Sequence, residues 1–393
     1  MAISPSIKPT TTISAEGTAR RLRALSAPIL ALQEEILLSG ILLQGPRVAA
    51  LEQAVRRVWN VRCAVGVSSG TAALEIALRA AGVQRDQRVI VPAHTFYSTA
   101  SAAVDVGAIP VFVDIDPVTY TLDPRAVQAA LTPDVRAIIA VHLYGQPADM
   151  DRLRDIAAER HIPLIEDASQ AHGAQYRQQF VGSLGDFGCF SLYVGKNIGG
   201  LGDAGLITVR QPATLEVCGL LFRLRDLGRL PGKATRYQHE VVGKRARMRE
   251  EDAAVTLLEL TFLEEWTTHR QAIAARYSDA FAHLPIQTPT IAPDRSHVFY
   301  KYAVLVATPQ ERQRLADFLE ERGIETEQLY PQALCDQPVF ASVPHHIASC
   351  TVARDVTARV ICLPLYPELR ENEIQQVITS VEQFYAGRKG QAS

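Results

Sequence analysis

Between residues 88 and 209 short β-branched runs alternate with stretches of helical character: "RVIVP" (88–92), "IPVFVDID" (109–116), "VRAIIAVHLYG" (135–145), "IPLIEDAS" (162–169), "FGCFSLY" (187–193) and "AGLITV" (204–209). Runs this short and this apolar suit strands buried on both faces, and strands separated by helices are joined by crossovers rather than hairpins. The pattern predicts an α/β fold with a largely parallel sheet covered by helices on both sides.

That regime fades after about residue 210. The stretch 251–282 reads as one long helix with acidic residues at its start, favourable for the helix dipole. Beyond it, "HVFYKYAVLVA" reads as a strand, "PQERQRLADFLEERG" as a capped amphipathic helix and "NEIQQVITSVEQFYAG" as a closing helix. Upstream, "PRVAALEQAVRRVWN" places Val48, Leu51, Val55 and Val58 near helical spacing, and the Ser/Thr/Pro-rich first twenty or so residues suit a loose arm. A chain of 393 residues exceeds one ordinary core. The expected division is an arm over 1–24, a large domain over 25–262 and a smaller α+β domain over 263–393.

Composition narrows the function. With 47% hydrophobic residues, 21% charged residues and a formal net charge of -2, the chain lacks the basic excess of a polyanion binder, so nucleic acid is not an expected partner. The six cysteines form no CxxC pair and no HExxH helix occurs, which signals neither a zinc site nor a disulfide framework and suits a reducing cytoplasm. The N-terminus has no apolar signal region, and no run approaches the roughly 18 apolar residues of a membrane span.

Three stretches carry chemistry. In "VSSGTAALEIALRAAG" a strand end passes through Ser69, Gly70 and Thr71 into an Ala/Leu-rich helix, aiming free N–H groups and a helix dipole at one spot that suits a phosphate. In "PLIEDASQAHGA", Asp167 stands just past an apolar strand, at the sheet edge where open α/β folds bind ligands. In "SLYVGKNIGGLGDAG", Lys196 follows Ser191 and Gly195 and precedes a glycine-rich run with little bulk, so the amine points into a pocket. Alone, each has an ordinary explanation: a capped helix, an Asp cap, a solvated lysine. Together they are what pyridoxal phosphate asks of a protein: a cup for the phosphate, a carboxylate for the pyridinium nitrogen and an amine for the aldehyde.

The sequence also resembles the DegT/StrS-type sugar aminotransferases, pyridoxal-phosphate enzymes of the aspartate aminotransferase fold (a three-layer α/β fold, PLP fold type I), over about residues 25–385. The resemblance rests on "SSGTAAL", "VPAHTFYSTASAAVDVGAIPVFVDIDPVTYTLDP", "VHLYGQPADMD", "EDASQAHGA", "FSLYVGKNIGGLGDAG", "YQHEVVGKRARM" and "LPLYPEL", in the family's order. It implies Lys196 as the Schiff-base lysine, Asp167 as partner of the pyridine nitrogen and Gln170 as partner of the ring hydroxyl. It further implies Phe96 as the aromatic residue stacked on the ring, with Gly70, Thr71 and Ser191 as the phosphate cup. Two departures stand out. Arg245 in "GKRARM" occupies the position of an asparagine that reaches the neighbouring subunit's phosphate, and Leu329 and Cys335 in "EQLYPQALCDQPVF" replace histidines.

The reaction so implied moves an amino group from L-glutamate or L-glutamine, through pyridoxamine phosphate, to a nucleotide-linked keto-sugar. A shared active site implies a homodimer. Three alternatives remain beside it: a keto-cyclitol acceptor, a pyridoxamine-dependent sugar dehydratase and a catalytically silent cofactor-binding partner protein. The dehydratases carry histidine at the lysine position, against which Lys196 argues.

Overall fold

The computed structural model describes residues 12–230 and 237–389. The first eleven residues of the expected arm therefore lie outside the described residues. The strands are β1 (Cys63–Val67), β2 (Arg88–Pro92), β3 (Ile109–Val113), β4 (Val135–Val141), β5 (Leu164–Asp167), β6 (Gln175–Tyr176), β7 (Gln179–Phe180), β8 (Phe187–Ser191), β9 (Gly205–Val209), β10 (Tyr302–Leu305), β11 (His346–Ile347) and β12 (Val360–Leu363). The helices are α1 (Thr18–Ala24), α2 (Ser26–Ser39), α3 (Pro46–Val58), α4 (Gly70–Ala80), α5 (Tyr97–Asp105), α6 (Pro124–Ala130), α7 (Met150–Glu159), α8 (Leu215–Arg225), α9 (Glu250–Leu260), α10 (Leu263–Phe281), α11 (Pro309–Glu320), α12 (Thr351–Arg359) and α13 (Glu371–Lys389).

Eight strands form one sheet in the order β1-β9-β8-β5-β4-β2-β3-β11. From β8 to β11 every neighbouring pair is parallel, and β9 alone runs against both β8 and β1. Successive side chains on a strand point to opposite faces, and the cores follow that alternation. Val65, Val89, Ile139, Ile165 and Ile207 enter a core roofed by α4, α5 and α8. Ala64, Ile90, Ile138, Leu164 and Leu206 enter a second, on the face of α3, α6, α7 and α9. Burial on both faces is why these strands read as continuous apolar runs.

A third core gathers Tyr277, Phe281, Val304, Leu319, Ile361 and Val381 from α10 onward, beside the antiparallel pair β10–β12. Ile13 joins it, buried at 2% exposure and bridged to Ile324. Residues 12–24 are thus packed against the body rather than forming the loose arm expected of the first twenty.

Four further expectations change. The stretch 251–282 is two helices, because Thr261 donates both its N–H and its hydroxyl to the Leu258 carbonyl (3.1 and 2.6 Å), tightening the turn and ending α9. On α3 the inward position after Val55 goes to Trp59, stacked on Phe190 at 4.6 Å, while Val58 stays half exposed. Of "HVFYKYAVLVA" only residues 302–305 pair as a strand. Finally, Cys63 and Cys218 form a disulfide, with 6.2 Å between their Cα atoms. A sequence separation of 155 hid a pairing that arises because α8 packs across β1. The other four cysteines are free and buried.

Three buried histidines set an acid limit on stability. Burial is the largest cause for each of His94, His172 and His297, and pushes their imidazolium forms down to about 3. The unfolded chain, with imidazoles near about 6.5, takes up these protons first. Stability is therefore complete above pH 6.5 and falls as pH drops toward 3, by about 1.4 kcal/mol per unit for each histidine. Glu259, which burial raises to about 7, works the other way from pH 7 down to its ordinary 4.5. Three groups outweigh one, so the urea midpoint of the chain should fall between pH 6.5 and pH 4.5; a flat or rising midpoint would contradict this.

Candidate active site

A cavity of about 390 Å³ opens at the carboxyl edge of the parallel strands. Its floor begins where β1 turns into α4. Ser69 is extended (φ -167, ψ 166) and its side chain accepts from the Ala72 N–H at 3.1 Å, which caps the helix. The N–H groups of the first turn, at Gly70 and Thr71, have no acceptor within the helix. A Cβ at Gly70 would lie 2.8 Å from Cβ of Ser191, so only glycine lets α4 start this close to the end of β8. The Thr71 hydroxyl donates to Oγ of Ser98 at 2.7 Å, which brings a third hydroxyl to the same rim. Gly70→Ala should cost about 1–3 kcal/mol, the usual range for overpacking, read as a lower urea midpoint, and should weaken binding of inorganic phosphate at this turn.

The "ED" pair that ends β5 divides its labour by strand alternation. Glu166 is fully buried and accepts the N–H groups of Gly182, Leu184 and Gly185 at 2.8, 2.8 and 2.7 Å, with His142 at 2.9 Å. Its role is structural. Asp167, on the opposite face, lines the cavity at 5% exposure. One of its oxygens accepts the Thr99 hydroxyl at 2.8 Å and the other the Ser169 N–H at 3.2 Å. Among the described residues no cation pairs with it. A buried carboxylate without a counter-charge is costly, so the site calls for a cationic group from outside the chain.

Gln170 is spoken for on two sides. Its carbonyl oxygen accepts the Tyr144 N–H at 2.7 Å and its amide donates to the Tyr330 hydroxyl at 2.9 Å, leaving one amide N–H for a ligand. Tyr144 holds a left-handed backbone (φ 58) to make that contact. Its hydroxyl donates to the Leu329 carbonyl and lies 2.9 Å from Nε2 of His94. Burial pushes the Tyr144 and Tyr330 phenols well above their ordinary range, so both stay neutral.

Phe96 caps α5 with its ring 53% exposed on the cavity wall, 5.6 Å from the Tyr330 ring. Lys196 is half-buried on the loop after β8, and its Nζ lies 4.7 Å from the centre of the Tyr300 ring. The tight backbone approach in that loop is at Gly199, where a Cβ would meet the Tyr193 carbonyl oxygen at 2.4 Å, more than at Gly195, where the nearest atom is 3.3 Å away. Ser191 ends β8 and lines the cavity, with its N–H directed to Oγ of Ser169 at 3.2 Å.

Seven of the eight residues singled out from sequence thus meet in one cavity: Gly70, Thr71, Phe96, Asp167, Gln170, Ser191 and Lys196. Arg245 does not. It is exposed outside the cavity, bridged through its backbone to Asp226. Leu329 lines the cavity, while Cys335 is buried in the core behind it. Sequence reasoning passed over Ser98, Thr99, Tyr300 and Tyr330. Ser98 and Thr99 stand one helical turn from Thr95 and Phe96 and were within reach of a periodicity argument, whereas Tyr300 and Tyr330 arrive from a distant part of the chain.

Comparison with known proteins fits this geometry. The family model for the DegT/DnrJ/EryC1/StrS aminotransferase family matches residues 24–382. The chain is 38% identical over 350 residues to the dTDP-3-amino-3,4,6-trideoxy-alpha-D-glucose transaminase of Streptomyces venezuelae, covering 89% of this chain and 90% of that one. It is 37% identical over 365 residues to a pleiotropic regulatory protein of Geobacillus stearothermophilus, covering 92% and 95%. The crystal structure of S. venezuelae DesV in complex with a ketimine intermediate superposes with a TM-score of 0.89 at 36% identity, over 96% of this chain and 99% of that one. With matching motifs, a matching fold and a family model spanning nearly its whole length, the chain belongs to the DegT/DnrJ/EryC1/StrS aminotransferase family.

Proposed function

We propose that the chain is a pyridoxal-phosphate-dependent aminotransferase that moves an amino group from L-glutamate or L-glutamine to the keto carbon of a nucleotide-linked sugar. The observation that carries the reading is the meeting, in one cavity, of a lysine amine, an unpaired buried carboxylate and a glycine-lined helix start. These residues fit the cofactor. The α4 N–H groups and the Thr71, Ser98 and Ser191 hydroxyls suit its phosphate, Asp167 its ring nitrogen, the remaining amide N–H of Gln170 its ring hydroxyl, and Phe96 its ring face. When bound, the cofactor supplies an aldehyde that carries the amine and a ring that accepts electrons.

The chain's own residues do the rest. Lys196 would take a proton from the donor's α-carbon as general base and deliver it as general acid to the cofactor carbon that carries the amine, and would run the same transfer in reverse for the keto-sugar. Asp167 would keep the ring nitrogen protonated, and the Thr99 and Ser169 donors hold that carboxylate in place. The Tyr144 N–H and the Tyr330 phenol, the latter kept neutral by burial, hold Gln170 without adding charge.

The acceptor class is drawn from the S. venezuelae relative, whose name specifies a dTDP-linked amino sugar. A homodimer completes the site. Leu37, Leu38 and Leu42, at the end of α2 and just after it, are 50% exposed or more, apolar side chains that a second copy of the chain would cover. Arg245 would then reach the other copy's phosphate with its planar donor fork. The test is to incubate purified protein, cofactor and L-glutamate with a panel of dTDP- and UDP-linked keto-sugars and to look for the amino-sugar product by mass spectrometry. A new species one amino group richer is expected; cofactor binding with no product from any donor and acceptor would favour a silent partner protein.

A further inference from the structure

Lys196 stands on a loop without regular structure, and among the described residues its Nζ makes no hydrogen bond or ion pair and lies 4.7 Å from the centre of the Tyr300 ring. What sets the position of its Cα is therefore the backbone's anchoring. Beside the Lys196 N–H to the Tyr193 carbonyl, the Asn197 amide to Val298 and the Leu201 N–H to Asp252, the remaining anchors gather on one buried pair. Arg21 of α1, 6% exposed, donates from Nη1 to the carbonyl oxygens of Lys196 (2.7 Å) and Asn197 (3.4 Å), and from Nη2 to that of Val194. Its Nε lies 3.1 Å from Glu259 of α9, and Glu259 accepts the Gly199 N–H with its other oxygen at 2.8 Å. The Arg21 guanidinium also lies over the Trp266 ring at 5.7 Å.

We propose that Arg21, together with Glu259, is a positioning residue for the lysine: the buried pair clamps residues 194–199 on both sides of Lys196 and fixes where the amine enters the cavity. The role in turnover rests on the aminotransfer reading above. A planar fork suits it, since one side chain reaches three carbonyls at fixed angles where an ammonium offers a single point. The clamp also makes the packing of α1, 175 residues away in sequence, a condition of catalysis. Arg20, the neighbouring residue, shows what docking α1 without touching the loop looks like. It binds Glu373 at 2.5 and 2.6 Å and the Glu368 carbonyl at 3.0 Å, on the side of α13.

The experiment compares wild type, R21Q, R21K and R20A by two readouts. The first is amide hydrogen exchange in the cofactor-free chain. The second is the rate and KM of the L-glutamate half-reaction in the loaded enzyme. R21Q should speed exchange at residues 194–200 selectively and lower the half-reaction rate about 10²-fold, the scale of an ångström-sized misplacement, with KM little changed. R21K should fall between it and wild type, and it carries the comparison if R21Q does not fold. R20A should leave both the loop's exchange and the rate as in wild type. The proposal is overturned if exchange at 194–200 in R21Q matches wild type, if it rises equally through the whole chain, or if R20A slows the reaction as much as R21Q. A wild-type enzyme inert to every donor overturns the aminotransfer reading instead, and the clamp then stands or falls on the exchange contrast alone.

Discussion

Lys196→Ala should lower the rate of the glutamate half-reaction by at least about 10²–10⁴-fold, the range supplied by a positioned general acid–base, while leaving the fold intact. The second half of that expectation follows from how little holds the side chain. Lys196 is half-buried and meets the Tyr300 ring at 4.7 Å, a contact worth about 0.5–1 kcal/mol at a partly exposed site. Its backbone anchors belong to the main chain and survive the substitution. Stopped-flow kinetics beside a urea melt separates the two effects. A large loss of rate with a urea midpoint near wild type marks a catalytic residue. Equal losses in both would mean that the ammonium serves the fold.

Asp167→Asn should lower kcat by about 10–10³-fold, because an opposite charge at close range shifts a partner's pKa by about one to three units and the amide supplies no charge. The substitution keeps the side chain's shape. An Asn oxygen still accepts from the Thr99 hydroxyl, while the contact with the Ser169 N–H is lost, at a cost of about 0.5–1.5 kcal/mol. Removing an uncompensated buried charge works in the opposite direction, so the cofactor-free variant should be close to wild type in stability. The variant should bind the cofactor and release it unchanged on most encounters with glutamate. If Asp167→Asn turned over at the wild-type rate, the ring nitrogen would need another partner.

Much of this was legible in the residues because the chemistry sits where local patterns end. The strand runs 88–92, 187–193 and 204–209 were readable as strands since burial on both faces removes polar alternation. Asp167 and Ser191 end β5 and β8, which pair in parallel, and Ser69 follows β1, which β9 joins to β8 through two antiparallel pairings, so all three ends lie at one edge. The two-residue strand β11, on the sheet's outer edge and exposed, has no pattern to read. Tyr300 and Arg21 bear on the site through the packing of distant elements, and nothing in their own neighbourhoods marks them, whereas Tyr330 stands beside Leu329 in a stretch that stood out for its departures alone. The Cys63–Cys218 bond was hidden for the same reason. Arg245 was legible as a departure from the family, but its position outside the cavity is a fact only the fold supplies.

The most direct measurement of the central claim is the absorption spectrum of the cofactor-loaded protein as L-glutamate is titrated in and 2-oxoglutarate is then added back. The account predicts that the band of the cofactor–lysine linkage gives way to that of pyridoxamine phosphate and returns on adding the keto acid, in wild type and not in Lys196→Ala. A band that ignores L-glutamate, L-glutamine and every other amino donor, in a protein that holds its cofactor, would contradict it.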